Sequence, residues 1–238
     1  NVPGDNFTVA DMTIGWVANH AVQIHSDSDN PIIHNVHFVD TYEQMLKVSF
    51  RSGDSTSSEN GLVEWCLFEY SAGIGPQYYI GGIDAHQSRG WVIRDNQIDG
   101  FWCASGLSEH GIHLWRGCRD TLIERNMLMD NARGIGLGLV TDGSGRLYAD
   151  DPCPSAVGYV DDFGGIIRNN FISASDLDLF SSQYGFDCGI CLWNACNAQA
   201  LHNSIYSADP GSTFSSIEWR FPNTQAVIDN NLVNVEMR

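Results

Sequence analysis

The chain has 238 residues, 43% of them hydrophobic, which is enough for a domain with a real core and excludes a disordered tail. Charged residues make up only 17%, and the net charge is −17. So acidic a surface repels DNA and RNA backbones and excludes nucleic-acid binding as a leading function.

Taken in chain order, one pattern recurs: apolar-x-x-(Asn)-x-apolar, a turn, then Gly-apolar-x-apolar. It begins at Val9-x-x-Met12-x-Ile14 and passes through Ile33-x-x-Val36-x-Phe38 and Val63-x-x-Cys66-x-Phe68. It is clearest in Ile93-x-x-Asn96-x-Ile98, Ile123-x-x-Asn126-x-Leu128 and Ile167-x-x-Asn170-x-Ile172. It closes with Ala200-x-x-Asn203-x-Ile205 and Ile228-x-x-Asn231-x-Val233. The second half of the pattern centres on Val22, Leu46, Ile83, Ile112, Ile135, Ile190 and Ile217. Most of those spacings suit one turn of a coil. The interval from Ile135 to Ile190 is the longest and holds one coil plus two insertions, at 140–163 and 173–184. The first insertion is rich in Asp, Gly, Pro and Tyr and is expected to be a loop.

Period-3.6 patterning is absent, and Asn60-Gly61 is the single Asn-Gly hairpin signal. Stacked coils are the consistent solution. Asn96, Asn126, Asn170, Asn203 and Asn231 then fall at one turn position, where Asn tolerates left-handed backbone and its amide both donates and accepts. They are expected to form a structural ladder.

The seven cysteines are expected to be buried thiols with one or two bridges, at least one remaining free. Cys188-x2-Cys191-x4-Cys196 lacks the second pair of a zinc ribbon, so no metal site is expected from it. His34 and His37 fall on opposite strand faces and make a poor metal pair. No cofactor is expected. Acidic loops leave Ca²⁺ open, although no Asp-x-Asp-x-Asp-Gly loop occurs. No apolar run of about 18 residues is present, so no membrane-spanning helix is expected, and no signal peptide is visible. The opening Asn1-Val2-Pro3 reads as the start of a mature or excised segment without a native cap. An uncapped solenoid end can pair with a second copy.

Alternation assigns faces. The first outward column reads Gln23, Lys47, Asp84, His113, Gly136, Cys191, Glu218. The second reads His25, Ser49, His86, Trp115, Gly138, Trp193, Arg220. Lys47, Asp84, His86, His113 and Trp115 would form one patch, and Cys191, Trp193, Glu218 and Arg220 another. Gly136 and Gly138 would leave a bare dip between them. Such a trough suits a polysaccharide, with Trp faces for sugar rings and His or carboxylates for protons. The opposite column, Arg94, Glu124, Arg168, Leu201 and Asp229, reads as cross-rung ion pairs.

These motifs resemble the right-handed parallel β-helix superfamily, shared by pectate lyases, many glycoside hydrolases, alginate epimerases and phage tailspikes. The likeness covers roughly residues 7 to 235. It implies an all-β, single-stranded right-handed parallel β-helix of about eight coils forming one domain over 1–238. Gly111-Ile112-His113-Leu114-Trp115 and Ser216-Ile217-Glu218-Trp219-Arg220 also resemble uncharacterised bacterial β-helix proteins. Gly82-Ile83-Asp84-Ala85-His86 is similar to the Gly-Phe-Asp-Pro-His stretch of mannuronan C-5 epimerases, and Glu109-His110-Gly111 to the Arg-His-Gly of the family's next coil. The resemblance implies catalytic roles for Asp84, His86 and His110, which the face assignment extends to His113. It departs where Gly81 replaces a tyrosine and Glu109 an arginine. Tyr78 and Tyr79 lie near the first gap, and Lys47, Arg89 or Arg133 are candidates for the missing cation.

The expected function is therefore an extracytoplasmic, bacterial carbohydrate-active protein, a lyase or epimerase on a uronate polymer. Lys47, Trp115, Arg133, Trp193, Glu218 and Arg220 are the expected substrate-binding residues. Hydrolysis by Asp84 with Glu218 is disfavoured, because three intervening rungs separate them by about 20 Å. A hydrolase would need Asp150, Asp151 or Glu109 from loops. The competing expectation is a non-catalytic β-helix that binds glycan or a protein, or serves as a scaffold.

Overall fold

Short apolar strands separated by bends, with a single Asn-Gly hairpin signal among them, must find their hydrogen-bonding partners one coil away. The computed structural model describes residues 4–50 and 57–238 and has this architecture. Asn1-Val2-Pro3 lies outside the described residues. Among the described residues every strand pair is parallel, and the chain is a right-handed parallel β-helix. Strands stack into sheets of 14, seven and three strands.

The seven-stranded sheet carries Val22, Leu46, Ile83, Ile112, Ile135, Ile190 and Ile217 as successive partners, in the register that alternation predicts. All point into the core and all are buried. Across the interior, Val63, Ile93, Ile123, Ile167 and Ala200 stack in register, each fully buried. The Phe38 and Phe68 rings stack at 4.6 Å. Like-on-like stacking at one rung per strand spacing is what gives the interior its density.

The asparagine ladder is present. The Asn126 amide donates to Ile93 O and to Asn170 Oδ1, each at 3.0 Å, and Asn126 Oδ1 accepts from Asn96 N at 3.1 Å. The same bonds recur at Asn96, Asn170 and Asn203. The ladder residues are not the left-handed ones, however. Positive φ falls one residue earlier, at Trp65, Asp95, Arg125, Asn169, His202 and Asn230. The corner residue makes the bend, and the amide after it replaces the backbone partners that the bend removes.

The coil has a third side that alternation did not reveal. Cys118–Arg119, Asp162–Phe163 and Ala195–Cys196 pair in parallel as a short sheet. Two-residue strands are too short to carry a period. The first insertion therefore ends before Asp162, and the second contains the last two residues of the strand Phe171–Ala174 and a short helix, Leu177–Ser181. Asp176 caps that helix through its side chain, which accepts from Asp178 N. The first insertion is tied down by Cys153–Cys196, by Arg119 to Asp150 at 2.7 Å and by Arg146 to Glu59. Cys188–Cys191 is a second bridge, and Cys66, Cys103 and Cys118 are free and buried.

On the opposite face, Glu124 pairs with Arg168 at 2.7 Å, as the alternating column predicts. Arg94 pairs instead with Glu64 of the preceding coil at 2.8 Å. His34 and His37 are each held by a glutamate of the next coil, Glu64 and Glu69.

Candidate functional site

The outward columns of the seven-stranded sheet supply the site. Lys47, Asp84, His113, Gly136, Cys191 and Glu218 are successive partners, as are His86 with Trp115 and Trp193 with Arg220. Alternation equated outward with exposed, and the structure corrects this. Asp84 is 2% exposed, Lys47 6%, His86 7% and His113 fully buried. Side chains from the coil edges fold over them. Arg116 stacks on Trp115 at 4.5 Å and on Phe50 at 4.6 Å, and the Phe50 ring lies 5.2 Å from His86. Arg116 follows Trp115 at a left-handed corner, which turns the guanidinium back over the sheet.

Asp84 is the hub. Its Oδ2 accepts from Lys47 Nζ, and its Oδ1 accepts from Trp115 Nε1 at 2.8 Å. His86 Nε2 lies 3.5 Å from Asp84 Oδ1 and 3.2 Å from Lys47 Nζ. His113 Nδ1 lies 3.9 Å from Asp84 Oδ1 and 3.4 Å from Glu109 Oε2. Burial opposes a charge on Asp84, but the adjoining His86 and Lys47 outweigh it and hold the carboxyl well below the usual range. Burial pushes His86 down; Asp84 works against that, while Lys47 and Arg116 add to it. His86 is thus biased to its neutral form, and its Nδ1 has no hydrogen-bond partner. His113 is placed with Nε2 3.2 Å from the Gly138 carbonyl, so a proton on Nε2 leaves Nδ1 turned to the carboxylates. Tyr79 faces the Lys47 ammonium at 5.7 Å from its ring centre.

The second patch is a stack of charges on Trp193. Arg133 and Arg220 lie against its ring at 4.9 and 4.8 Å, and Trp193 Nε1 donates to Glu218 Oε2 at 2.7 Å. Arg220 pairs with Glu218 at 2.5 Å, and Arg133 donates to Asp187 at 2.7 Å. Trp193 is 2% exposed, so its ring faces the two guanidiniums rather than solvent.

The expected bare dip is filled. A Cβ at Gly136 would sit 2.6 Å from the His110 ring, so His110 occupies the space that Gly136 leaves. His110 links the patches, with its ring 4.3 Å from His113 and 5.5 Å from Trp193. It is fully buried, and neither ring nitrogen has a hydrogen-bond partner. Burial, then the neighbouring His113 and Arg133, hold it well below the ordinary histidine range and so neutral. Glycine at 138 answers another need: it adopts φ +73°, and a side chain there would collide with the Trp193 carbonyl.

Sequence reasoning brought together Lys47, Asp84, His86, His113 and Trp115. Arg133 was one of three candidates for the missing cation, and in the structure it belongs to the Trp193 stack. Arg89 lies elsewhere, 4.0 Å from Asp120, and Asp150 is held by Arg119. Arg116, Phe50 and Asp187 were missed, because corner and edge residues lie outside the alternation that identified the others. Among the described residues, two trios bring their ligand atoms within 4.8 Å: His110 with Cys188 and Cys191, and Glu109 with His110 and His113. Neither is the all-oxygen set that Ca²⁺ takes.

No family model matches the chain, and no curated protein matches it by sequence. Solved structures do match in shape. The Streptococcus pneumoniae surface protein and adhesin PfbA superposes with a TM-score of 0.60 at 14% identity, over 98% of this chain and 64% of that one. The A-module of the Azotobacter vinelandii mannuronan C-5 epimerase AlgE6 gives 0.57 at 15%, over 97% and 55%. The tailspike protein of E. coli bacteriophage HK620 gives 0.60 at 14%, over 97% and 39%. This chain thus spans less than two thirds of each of these proteins. The likeness is one of fold.

Proposed function

We propose that this β-helix handles a uronate-containing polysaccharide on the seven-stranded face, as a lyase or epimerase acting through the Asp84 cluster. The observation that carries the reading is a buried Lys47–Asp84 pair in contact with two imidazoles and an indole N–H. A buried ion pair is weak evidence for stability, and perturbed groups held together on one face are a recognised signature of chemistry. Lys47 and Arg116 would offset the uronate carboxylate and the charge that develops on it as the C5 proton leaves. Neutral His86 would take that proton. Tyr79 or His113 would return a proton to C5, giving epimerisation, or protonate the departing 4-O oxygen, giving elimination. Asp84 would fix the Lys47 and His86 side chains and balance the charge on both. In this scheme Arg133, Trp193, Glu218 and Arg220 form a flanking subsite, with Arg220 as its solvent-facing cation. The solved neighbours include an epimerase of mannuronan and a tailspike determined with a pentasaccharide, which supports looking for a polymeric glycan first. A surface or secreted setting fits the same reading, and the adhesin and tailspike neighbours support it.

A second reading draws on the near-complete burial of His86, His110 and His113. In it the cluster is a structural plug, and the chain binds glycan or protein without catalysis. The test is incubation with alginate, pectate and other uronate polymers, with and without Ca²⁺, following the ultraviolet absorbance of an unsaturated product and solvent-proton exchange at C5. Absorbance or exchange that His86→Ala abolishes supports the enzyme. Flat traces in both assays across the panel would sink the catalytic reading in favour of the second.

A further inference from the structure

Cys188 and Cys191 lie three residues apart on one strand, Phe186–Trp193, yet both side chains are on the outer face. The strand kinks between them without losing register: Cys188 partners Arg133 and Ile190 partners Ile135, while Ile190 lies in the core and a Cβ at Gly189 would meet the core side chain of Ile205, so two successive residues face inward. The bond joining them closes a loop of only three residues, against 43 for Cys153–Cys196. Constraint of the unfolded chain grows with loop length, so this pair is the weaker staple of the two. C-x2-C is a spacing common to redox and metal sites. The next cysteine, Cys196, is bonded to Cys153, but the fold supplies a third ligand. His110 comes from two rungs away and reaches the pair because the intervening rung carries Gly136. Its ring is fully buried, both nitrogens lack hydrogen-bond partners, and a ligand nitrogen converges with both sulfurs within 4.8 Å. A buried imidazole with neither nitrogen satisfied is an anomaly, and a metal ligand is one of the few roles that resolve it.

We propose that reduction of Cys188–Cys191 opens a buried site for a borderline-soft divalent cation such as Zn²⁺, held by the two sulfurs and His110. A dithiol donor supplies two electrons and two protons; the protein S–S bond breaks, the donor's own forms, and two thiols remain. Binding of the cation by two thiolates and a neutral imidazole then releases two protons to solvent. Two sulfurs with one nitrogen are a tetrahedral Zn²⁺ donor set with one position left, and that position has His113 and Glu109 as neighbours of His110. In the oxidised state the bond between the sulfurs removes both ligands. Neither cysteine nor His110 takes a step in the uronate chemistry above, so the two proposals are tested separately.

The test uses Co²⁺ as a spectroscopic probe, titrated into the intact chain before and after treatment with a phosphine reductant, which becomes the phosphine oxide. Thiolate-to-cobalt charge-transfer absorption is expected at one Co²⁺ per chain after reduction and not before. It should persist in a Cys153→Ser/Cys196→Ser chain and vanish in Cys188→Ser/Cys191→Ser. Gly136→Ala, which displaces His110 without touching either sulfur, should weaken binding about tenfold or more. Absence of the band in the reduced chain, its appearance before reduction, or its survival in Cys188→Ser/Cys191→Ser would overturn the proposal. If Cys188→Ser/Cys191→Ser does not fold, zinc X-ray absorption of the reduced Cys153→Ser/Cys196→Ser chain decides: two sulfurs with an imidazole nitrogen support the site, and a shell of nitrogen and oxygen alone removes it.

Discussion

At Asp84 a single carboxylate accepts from an ammonium and an indole and borders two imidazoles, all out of water. Removing one partner of a buried pair leaves the other charge uncompensated. Asp84→Asn should therefore cost about 3 kcal/mol, read as a lowered denaturant midpoint at unchanged slope. An unchanged midpoint would mean that Lys47 finds water in the native state. His86 sets a second expectation. Its pKa in the folded chain is depressed by burial, so the unfolded chain binds the proton more tightly. Neutral His86 persists to pH values below the ordinary value of about 6.5, and an activity that needs it should keep its acid limb below that point. Asp99 is the reverse case. Burial, then Asp130, Glu69 and Asp176, push its carboxyl up to about 6. The folded state binds that proton more tightly, so the contribution is present below about pH 4 and is lost as pH rises through 6. Asp99→Asn should raise stability at neutral pH by about 1 kcal/mol, given that the group is only half buried, and change little in acid. Thermal melts at the two pH values check the sign.

The element that repeats is the corner with its ladder amide. Each internal asparagine satisfies the bend of the preceding coil and donates to the ladder amide of the next. Asn126→Ala would orphan Ile93 O and the Asn96 N–H together, at a cost of about 3 kcal/mol. In the last coil, Asn231 is half buried and is expected to cost about 1 kcal/mol as alanine. Denaturant melts of the two variants should rank in that order; equal losses would argue that the ladder adds nothing beyond turn propensity. The first coils show the alternative. Met12 and Val36 occupy the ladder column as apolar residues, and Cys66 N donates to Asn96 Oδ1 of the next coil.

For the molecule as a whole, each coil touches mainly its neighbours, so damage should stay local. The long first insertion is the exception, since Cys153–Cys196, Arg146–Glu59 and Arg119–Asp150 bind it to three different coils. Cys153→Ser/Cys196→Ser should cost at most about 4 kcal/mol on the chain-entropy model, and Cys188→Ser/Cys191→Ser about half that. Limited proteolysis gives the local readout: cleavage within 140–161 should accelerate in the first variant and not in the second.

The stacking frame was legible in the residues because a parallel coil repeats one inward column, and burial forces that column to be apolar. Val22 through Ile217 and the asparagine column could be aligned without coordinates, and with them the patch of Lys47, Asp84, His86, His113 and Trp115. Alternation records which way a side chain points and nothing about what folds over it. Only the tertiary structure decided that these groups are buried, that Arg116 and Phe50 cover them, and that the third side of the coil exists in strands too short to carry a period. The meeting of His110 with Cys188 and Cys191 has the same origin. Residues some eighty positions apart are brought together by a glycine on the rung between them, and no spacing within either segment encodes that encounter.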